Sequence, residues 1–346
     1  MATRIIAVLN QKGGVGKTTT CVNLGAALAR RGQEVLLLDM DPQANLTVHV
    51  GIDPRTVERT TYSLLLGRHD LAPAVRRTAT AGLSVVPSTL ALANAEIQLA
   101  SAVGRELILR DAVEGYLGPQ PSPKADFVLI DCPPSLGILT MNALCAATDV
   151  LLPIQAEFFA LQGVADSLES LTAVQRRNRG LKLSIVVPCM VDKRRTLARD
   201  VIEEVRNYFG SLVTQTCIRV NVKLAEAPSH GKTIFEYDPA SNGARDYAAL
   251  AGEVLGEPEL PAQDDETAPA AADPPRPPVP PVETTEIPDA PEPVTTDLPP
   301  ATSSEPSSDP VVETVTFPEA PQASEPAPVA EVAPVGVAPG PGRPLA

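Results

Sequence analysis

The sequence predicts a doubly wound α/β fold, built on a mostly parallel sheet, for residues 1–256. Apolar runs alternate with segments in which apolar residues recur at helical spacing. The runs lack the polar alternation of a strand with one wet face, which indicates strands buried on both faces under layers of helices. The predicted strands are residues 5–9, 35–38, 83–87, 127–131, 150–155 and 183–189.

Helical periodicity fills the intervals between these strands. The first predicted helix follows a glycine-rich loop and ends before Gly32, because a glycine commonly terminates a helix. A second break, rich in glycine and proline, lies at residues 118–123. The predicted helices are residues 22–29, 62–66, two within 90–116, one from 156 to about 179, 201–205 and 244–255.

The C-terminal segment, Glu257–Ala346, differs in composition from the rest of the chain. It contains 17 acidic and 2 basic residues, a net charge of −15, whereas residues 1–256 have a net charge of +1. It also holds 24 of the 37 prolines. Such a segment buries too little apolar surface to offset its conformational entropy. We therefore predict one α/β domain over residues 1–256 and a disordered, acidic tail over residues 257–346.

The first apolar run leads into a loop with the sequence NQKGGVGKTTT, residues 10–20. Its glycines allow a tight bend that points backbone N–H groups inward, and the start of the next helix favours an anion at the same place. Lys17 is expected to contact nucleotide phosphates, and the hydroxyl of Thr18 is expected to bind Mg²⁺. A glycine-rich turn without a ligand is the alternative. The predicted nucleotide contacts are Gln11, Lys12, Gly13, Gly14, Val15, Gly16, Lys17, Thr18 and Thr19.

This loop departs from the strict G-x-x-x-x-G-K-[ST] pattern in two ways. Gln11 stands where the first glycine belongs, and an additional lysine, Lys12, precedes the double glycine. The resulting K-G-G-V-G-K-T-T sequence resembles the deviant Walker A loop of the ParA/MinD/nitrogenase-iron-protein group of P-loop ATPases. In that group the extra lysine crosses a nucleotide-sandwich dimer. The resemblance therefore implies an ATP-dependent homodimer in which Lys12 contacts the phosphates of the second subunit.

Aspartates end two of the predicted strands. The segment Asp39-Met40-Asp41-Pro42-Gln43 resembles the D-x-D-P-Q motif of the ParA group. The resemblance implies that Asp41 positions the attacking water and that Asp39 supports it or the Mg²⁺ shell, with helix capping as the alternative for either residue. Asp131 ends a Walker B strand and is predicted to hold Mg²⁺ through a water.

Further nucleotide contacts are implied by the resemblance alone. Residues 227–239 resemble the ParA/Soj sequence that runs from A-P-S-x-G-K to Y-D-P, although Thr233 replaces the usual proline. In relatives the proline of this motif closes over the adenine. We accordingly expect nucleotide contacts from Glu157, Met190 and Pro228.

Basic residues near the end of the domain form a predicted DNA-binding set, which the resemblance to the ParA group implies for Arg194, Arg195 and Lys223, and to which Arg219 adds nearby positive charge. They have no aromatic residues interleaved, so base stacking is not indicated and sequence-independent phosphate contact is expected. Arg219-Val220 stands where relatives often have Pro-Arg, and a solvated basic face is the alternative for each position. The predicted contacts are Arg194, Arg195, Arg219 and Lys223.

Together these motifs resemble the ParA/Soj family of partitioning ATPases across residues 1–256. The resemblance implies a MgATP-dependent switch that binds DNA non-specifically and segregates chromosome or plasmid DNA with a ParB-like partner. Hydrolysis should be slow without that partner, because catalysis of phosphoryl transfer depends on positioning. The five cysteines are widely spaced and lack a C-x-x-C pair, which indicates reduced thiols. We expect a cytoplasmic, nucleoid-associated protein.

Three alternatives remain open at this point. A ParA-like ATPase can position a protein cargo instead of DNA. A MinD-type ATPase acts at a membrane surface through a basic amphipathic C-terminal helix, whereas residues 339–346 are rich in glycine and proline, so no membrane partner is expected. A metabolic ATP-dependent synthase of related fold is disfavoured by the motifs at residues 39–43 and 227–234. Two hypotheses remain for the acidic tail. It competes with DNA for the basic face, or it is inert and only keeps the protein in solution.

Overall fold

The computed structural model describes residues 2–118, 124–157, 168, 171–192 and 194–257. All of these belong to the first of two units into which the chain divides, Met1–Pro269. The predicted tail lies outside the described residues apart from Glu257, and so does most of the helix predicted from residue 156.

An eight-stranded sheet occupies the centre of the described domain. Its spatial order is β3-β4-β2-β5-β1-β6-β7-β8, and every neighbouring pair is parallel except β3 with β4. The prediction of a doubly wound, mostly parallel sheet is therefore confirmed. The strands are β1 Arg4–Val8, β2 Val35–Asp39, β3 Arg76–Arg77, β4 Leu83–Val86, β5 Phe127–Asp131, β6 Asp149–Gln155, β7 Lys182–Val191 and β8 Ile218–Arg219.

Helices cover both faces of this sheet. Residues 171–175 form a further helical turn beside the helices that are delimited at both ends. Every helix in the described ranges is too short or too polar to span a bilayer. The delimited helices are α1 Lys17–Ala29, α2 Asn45–His49, α3 Thr61–Leu65, α4 Ala95–Gln98, α5 Ile108–Leu117, α6 Ile138–Ala146, α7 Thr196–Phe209, α8 Val222–Glu226, α9 Ile234–Tyr237 and α10 Asn242–Leu255.

The central strands lack polar alternation because each face of the sheet packs into its own hydrophobic core. In β2, Leu36 and Leu38 belong to the core under α5 and α6, whereas Val35 and Leu37 belong to the core under α1 and α10. The residues of β5 divide in the same way. An apolar side chain is therefore needed at every position, as the sequence pattern predicts.

Helix α1 lies against the sheet more closely than a side chain at Gly25 would permit. A Cβ added at Gly25 would lie 2.8 Å from Cδ2 of Leu37 and 3.2 Å from Cδ1 of Leu83. This close approach fixes the helix that follows the glycine-rich loop. The helix also bonds to α10, since the hydroxyl groups of Thr20 and Tyr247 lie 3.1 Å apart in the core.

The close packing of α1 predicts opposite effects for two helical glycines. Gly25→Ala should lower the free energy of unfolding by about 1–3 kcal/mol, because the added methyl group forces the helix away from the sheet. Gly115 in α5 has open space around a built Cβ. Gly115→Ala should instead raise the free energy of unfolding by about 0.5–1 kcal/mol through helix propensity. Urea unfolding of both variants measures this, and equal effects would contradict the packing account.

Candidate active site

The carboxyl ends of three adjacent strands bring the predicted nucleotide residues to one edge of the sheet. Strand β5 lies between β1 and β2, and Asp131 is the register partner of both Val8 and Asp39. The glycine-rich loop begins directly after β1 and ends at α1. Residues that are far apart in sequence therefore meet where parallel α/β sheets bind ligands.

The loop between β1 and α1 has the backbone conformation that its glycines allow. Gly14 and Gly16 have φ values of 77° and 91°, which side-chain-bearing residues rarely adopt. A built Cβ at either position meets nothing within 4 Å, so the backbone conformation, and not crowding, is what requires glycine there. Asn10, which the sequence prediction did not single out, anchors the loop: its Nδ2 donates to the Pro153 carbonyl at 2.8 Å, and its Oδ1 accepts from the Lys12 amide at 2.9 Å.

Lys17 is folded back into this loop. Its Nζ donates to the carbonyl oxygen of Lys12 at 3.2 Å, and the side chain is largely buried. Burial lowers the pKa of the ammonium group, an effect that the nearby Asp131 carboxylate opposes. A positive group held inside a loop of N–H donors is suited to an anionic ligand.

Lys12 and Glu157, both predicted to contact nucleotide, contact each other in the single chain. Lys12 Nζ lies 3.0 Å from Oε2 of Glu157, and both side chains are exposed. Gln155 holds the second carboxylate oxygen of Glu157 at 2.6 Å. An exposed ion pair of this type contributes about 0–1 kcal/mol, so the lysine can leave it at little cost.

Thr18 and Asp131 form the predicted metal-binding pair. The hydroxyl of Thr18 donates to Oδ2 of Asp131 at 2.7 Å. The other oxygen, Oδ1, is buried and has no hydrogen-bond partner within the described residues. Burial raises the pKa of Asp131 well above its usual value, and the neighbouring Asp39 raises it further. A buried, unsatisfied carboxylate oxygen next to a hydroxyl fits a hard cation such as Mg²⁺.

Asp39 is also fully buried, but both of its oxygens have protein donors. Oδ2 accepts from the hydroxyl and the amide of Thr47 at 2.6 and 2.9 Å, and Oδ1 accepts from the amide of Asp41 at 3.2 Å. Burial raises its pKa to about 7. This arrangement favours support of the Asp41 loop over a place in the Mg²⁺ shell.

Asp41 lies half-buried in the loop between β2 and α2. One of its carboxylate oxygens accepts a hydrogen bond from the backbone N–H of Gln43 at 2.9 Å. The helix that follows is capped at Ala44, which has a φ of 55° and no side-chain cap. Oδ2 of Asp39 nevertheless accepts from the backbone amide of Thr47 in the first turn of α2, so the capping alternative is partly realised for Asp39. A second non-glycine residue with positive φ, Met190 at 54°, lies where an adenine contact was predicted.

The predicted DNA-binding residues differ in their surroundings. Arg194 and Arg195 are exposed at the start of α7, and Lys223 on α8 pairs with Glu226 at 2.9 Å. Arg219 is the exception. Its guanidinium binds the nearly buried carboxylate of Asp246 at 2.7 to 3.1 Å, which ties β8 to α10. That bidentate ion pair makes Arg219 the least suited of the four to bind a phosphate.

Comparison with known proteins agrees with this geometry. A family model described as an AAA domain matches residues 3–185. The sporulation initiation inhibitor protein Soj of Bacillus subtilis is 47% identical over 252 residues, which cover 72% of this chain and 98% of that protein. The chromosome partitioning protein ParA of Caulobacter vibrioides is 44% identical over 254 residues, covering 73% and 94% of the two chains.

The chain belongs to the ParA/Soj family of chromosome-partitioning ATPases. The family likeness extends to solved structures. A Mycobacterium smegmatis protein described as cobyrinic acid a,c-diamide synthase, with bound ADP and magnesium, is 38% identical. It superposes with a TM-score of 0.64 over 73% of this chain and 94% of that chain. The ParA/Soj assignment, which the loop sequence and the aspartates predict, is confirmed.

A buried histidine beside the site gives this ParA/Soj domain a predicted pH dependence. His49 ends α2, bonds to the backbone of Lys232, and has a pKa lowered to about 4 by burial. The unfolded chain, with a histidine pKa of about 6.5, binds a proton that the folded chain excludes. The His49 contribution to the free energy of unfolding should therefore fall by about 3 kcal/mol as the pH falls from about 6.5 to about 4. The raised pKa of Asp39 acts in the opposite direction over the same range, so the His49 contribution is the difference in pH dependence between the wild type and His49→Asn.

Urea unfolding at the two pH values tests this expectation. His49→Asn should remove that part of the pH dependence, because it deletes the titrating group. His230→Asn is the matched control, since its ring lies at the surface. An unchanged pH dependence in His49→Asn would show that other groups are responsible.

Proposed function

We propose that this chain is a MgATP-dependent dimerising switch that binds DNA non-specifically and moves or positions chromosome or plasmid DNA. The observation that carries the proposal is the meeting of Lys12, Lys17, Thr18, Asp41 and Asp131 around one glycine-rich loop. Each has the side-chain chemistry that one part of a nucleotide switch requires. The family membership supports the same conclusion.

ATP is the proposed substrate, and Mg²⁺ is the proposed metal. The loop amides and Lys17 would bind the phosphates, as expected for N–H donors at a helix start. Thr18 and the unsatisfied oxygen of Asp131 would hold Mg²⁺, directly or through water. When bound, Mg²⁺ neutralises the negative charge that phosphoryl transfer develops. The relative with bound ADP and magnesium supports this ligand pair.

Hydrolysis is assigned to Asp41. Its half-buried carboxylate lies on a loop beside the metal pair, where it can orient a water. This loop supplies one aspartate and no further general base, so the chain alone would position the attacking water poorly. Slow turnover alone, with stimulation by a ParB-like partner, is therefore the proposed behaviour.

Dimerisation is assigned to Lys12. Its ion pair with Glu157 is exposed and therefore weak. The phosphates bound by a second subunit would be a more highly charged acceptor for Lys12 than the Glu157 carboxylate is. The resulting dimer would bring two copies of the basic set, Arg194, Arg195 and Lys223, onto one DNA duplex.

Nucleotide-dependent DNA binding tests the proposal. Random-sequence duplex DNA is mixed with the full chain and ATP, ADP or no nucleotide, at about 50 mM and about 200 mM salt. Only ATP should promote binding, and binding should weaken on the order of 10-fold or more at the higher salt because phosphate contacts release counterions. Asp41→Ala should prolong the complex, and Lys12→Ala should abolish it.

Paired variants make the DNA test specific. Arg194→Ala and Arg195→Ala should weaken binding to all sequences alike, whereas Arg219→Ala should mainly lower the melting temperature by breaking the ion pair with Asp246. Absence of DNA binding in every nucleotide state would contradict the partitioning proposal. Binding to a protein cargo or to a membrane surface would then be measured instead.

A metabolic synthase is the second candidate function, because the 38% identical Mycobacterium smegmatis structure is described as cobyrinic acid a,c-diamide synthase. The two candidates differ in what stimulates ATP turnover. A partitioning ATPase should respond to DNA with a ParB-like protein, whereas a synthase should depend on its small-molecule acceptor. Turnover measured with cobyrinic acid plus ammonia or glutamine as the nitrogen donor, and separately with DNA plus partner, distinguishes them.

A further inference from the structure

The peptide groups of Asp41 are held from both sides by buried side chains. Its N–H donates to Oδ1 of Asp39 at 3.2 Å, and its carbonyl oxygen accepts from the hydroxyl of Ser88 at 2.8 Å. The loop that carries the proposed water-positioning carboxylate is therefore fixed at the residue itself. Ser88 had no role in the sequence prediction.

Thr47 closes these contacts into a ring. The Ser88 amide donates to the hydroxyl of Thr47 at 2.8 Å, and that hydroxyl donates to Oδ2 of Asp39 at 2.6 Å. Each of the four bonds has one donor and one acceptor: Ser88 donates two bonds, Asp39 accepts two, and Asp41 and Thr47 each donate one and accept one. We call Asp39, Asp41, Thr47 and Ser88 the Asp41 ring.

The Asp41 ring is shielded from water. Asp39, Thr47 and Ser88 each have 0% exposed surface. Hydrogen bonds that water cannot replace hold their geometry more strictly, and the loss of one leaves a buried group unsatisfied. Only Asp41 reaches the site, where its side chain is partly exposed.

Three separate parts of the chain supply the ring, and the sheet order brings them together. Asp39 ends β2, Thr47 lies in α2, and Ser88 follows β4, the parallel neighbour of β2. Thr61 braces the junction, since its hydroxyl donates to the carbonyl oxygens of Asp39 and Pro87 at 2.6 and 3.0 Å. A displacement of β4 or α2 would therefore be transmitted to the peptide of Asp41.

We propose that Ser88 and Thr47 are positioning residues that fix the Asp41 peptide and thereby set the rate of ATP hydrolysis, a role that rests on the proposed ATPase function. Within the described residues, neither Ser88 nor Thr47 hydrogen-bonds to the glycine-rich loop, so both act through Asp41. Removing the Ser88 hydroxyl frees the Asp41 carbonyl, and removing the Thr47 hydroxyl breaks the link between Ser88 and Asp39. Both changes should affect turnover and leave nucleotide binding intact.

The test compares turnover with nucleotide affinity in the full chain. ATP hydrolysis is measured at saturating MgATP with duplex DNA present, and Kd is measured with a fluorescent ATP analogue. Ser88→Ala and Thr47→Val should each lower kcat on the order of 10-fold, because small misplacements of a catalytic group are costly, and should leave Kd within about 2-fold. Thr47→Ser retains the hydroxyl and should restore most of the activity.

A matched control separates positioning from general loss of stability. Thr214→Val also removes a nearly buried hydroxyl, one that donates to the carbonyl oxygen of Thr216 at 2.7 Å and, within the described residues, hydrogen-bonds to none of the ring residues. It should lower the melting temperature and leave kcat within about 2-fold of the wild type, because no catalytic group depends on it. Ser88→Ala in an Asp41→Ala background should produce no further loss of turnover, since Ser88 acts only through Asp41.

The outcomes distinguish this inference from the function on which it rests. If Asp41→Ala slows hydrolysis while folded Ser88→Ala and Thr47→Val turn over at the wild-type rate, the positioning role is wrong and the ATPase function stands. An additive loss in the double variant would likewise overturn the positioning role. Equal turnover of wild type and Asp41→Ala would overturn the proposed function itself, and the positioning role with it.

Discussion

Two carboxylates buried side by side at the ends of adjacent strands are the constraint on which this site depends. Asp39 and Asp131 are register partners in β2 and β5, and each has 1% exposed surface or less. Burial of an unpaired charge is strongly unfavourable, and a second negative charge nearby adds to it. Burial raises the pKa of both groups accordingly. A fold that retains this pair must stabilise each carboxylate by some other contact.

The structure stabilises the two carboxylates in different ways. Asp39 receives three protein hydrogen bonds and thereby organises the loop that carries Asp41. Within the described residues, Asp131 receives one, from Thr18, and one of its buried oxygens has no hydrogen-bond partner. Asp39 is thus a structural anchor, whereas the open oxygen of Asp131 suits the proposed cation. Lys17, which is folded against its own loop, supplies part of the missing positive charge.

Much of this arrangement is predictable from sequence because it is local. The apolar runs predict the central strands, since both faces of the sheet are buried, and the loop of residues 10–20 predicts the phosphate site. The edge strands β3 and β8 are not predicted, because a strand of two residues is too short to show a pattern of apolar residues. Ser88 and Thr47 escape prediction for another reason. They are ordinary polar residues, and their contacts arise because β2 and β4 are neighbours in the sheet. Strand order cannot be deduced from any single segment of the sequence.

Arg219 shows that a charged residue in a promising sequence context can be engaged by a partner that the sequence does not reveal. Its charge, close in sequence to the other basic residues, suggests a DNA contact, yet the fold places Asp246 against its guanidinium. The partner comes from α10, 27 residues further along the chain. Charge at a motif position is therefore a weaker predictor of a ligand contact where the tertiary structure supplies a nearly buried, bidentate counter-ion, as it does for Arg219 but not for Lys12 or Lys223.

The stability of Asp131→Asn tests most directly whether the site is built around a cation. The substitution keeps the side-chain size and removes the buried charge, and melting temperatures are compared in apo protein, with ADP and a chelator, and with ADP and Mg²⁺. The account predicts that the apo variant melts at or above the wild-type temperature, because burial of an unsatisfied charge is unfavourable. It also predicts that the additional stabilisation by Mg²⁺ over chelated ADP is largely lost. A variant that melts well below the wild type as apo protein and still gains full stability from Mg²⁺ would contradict it.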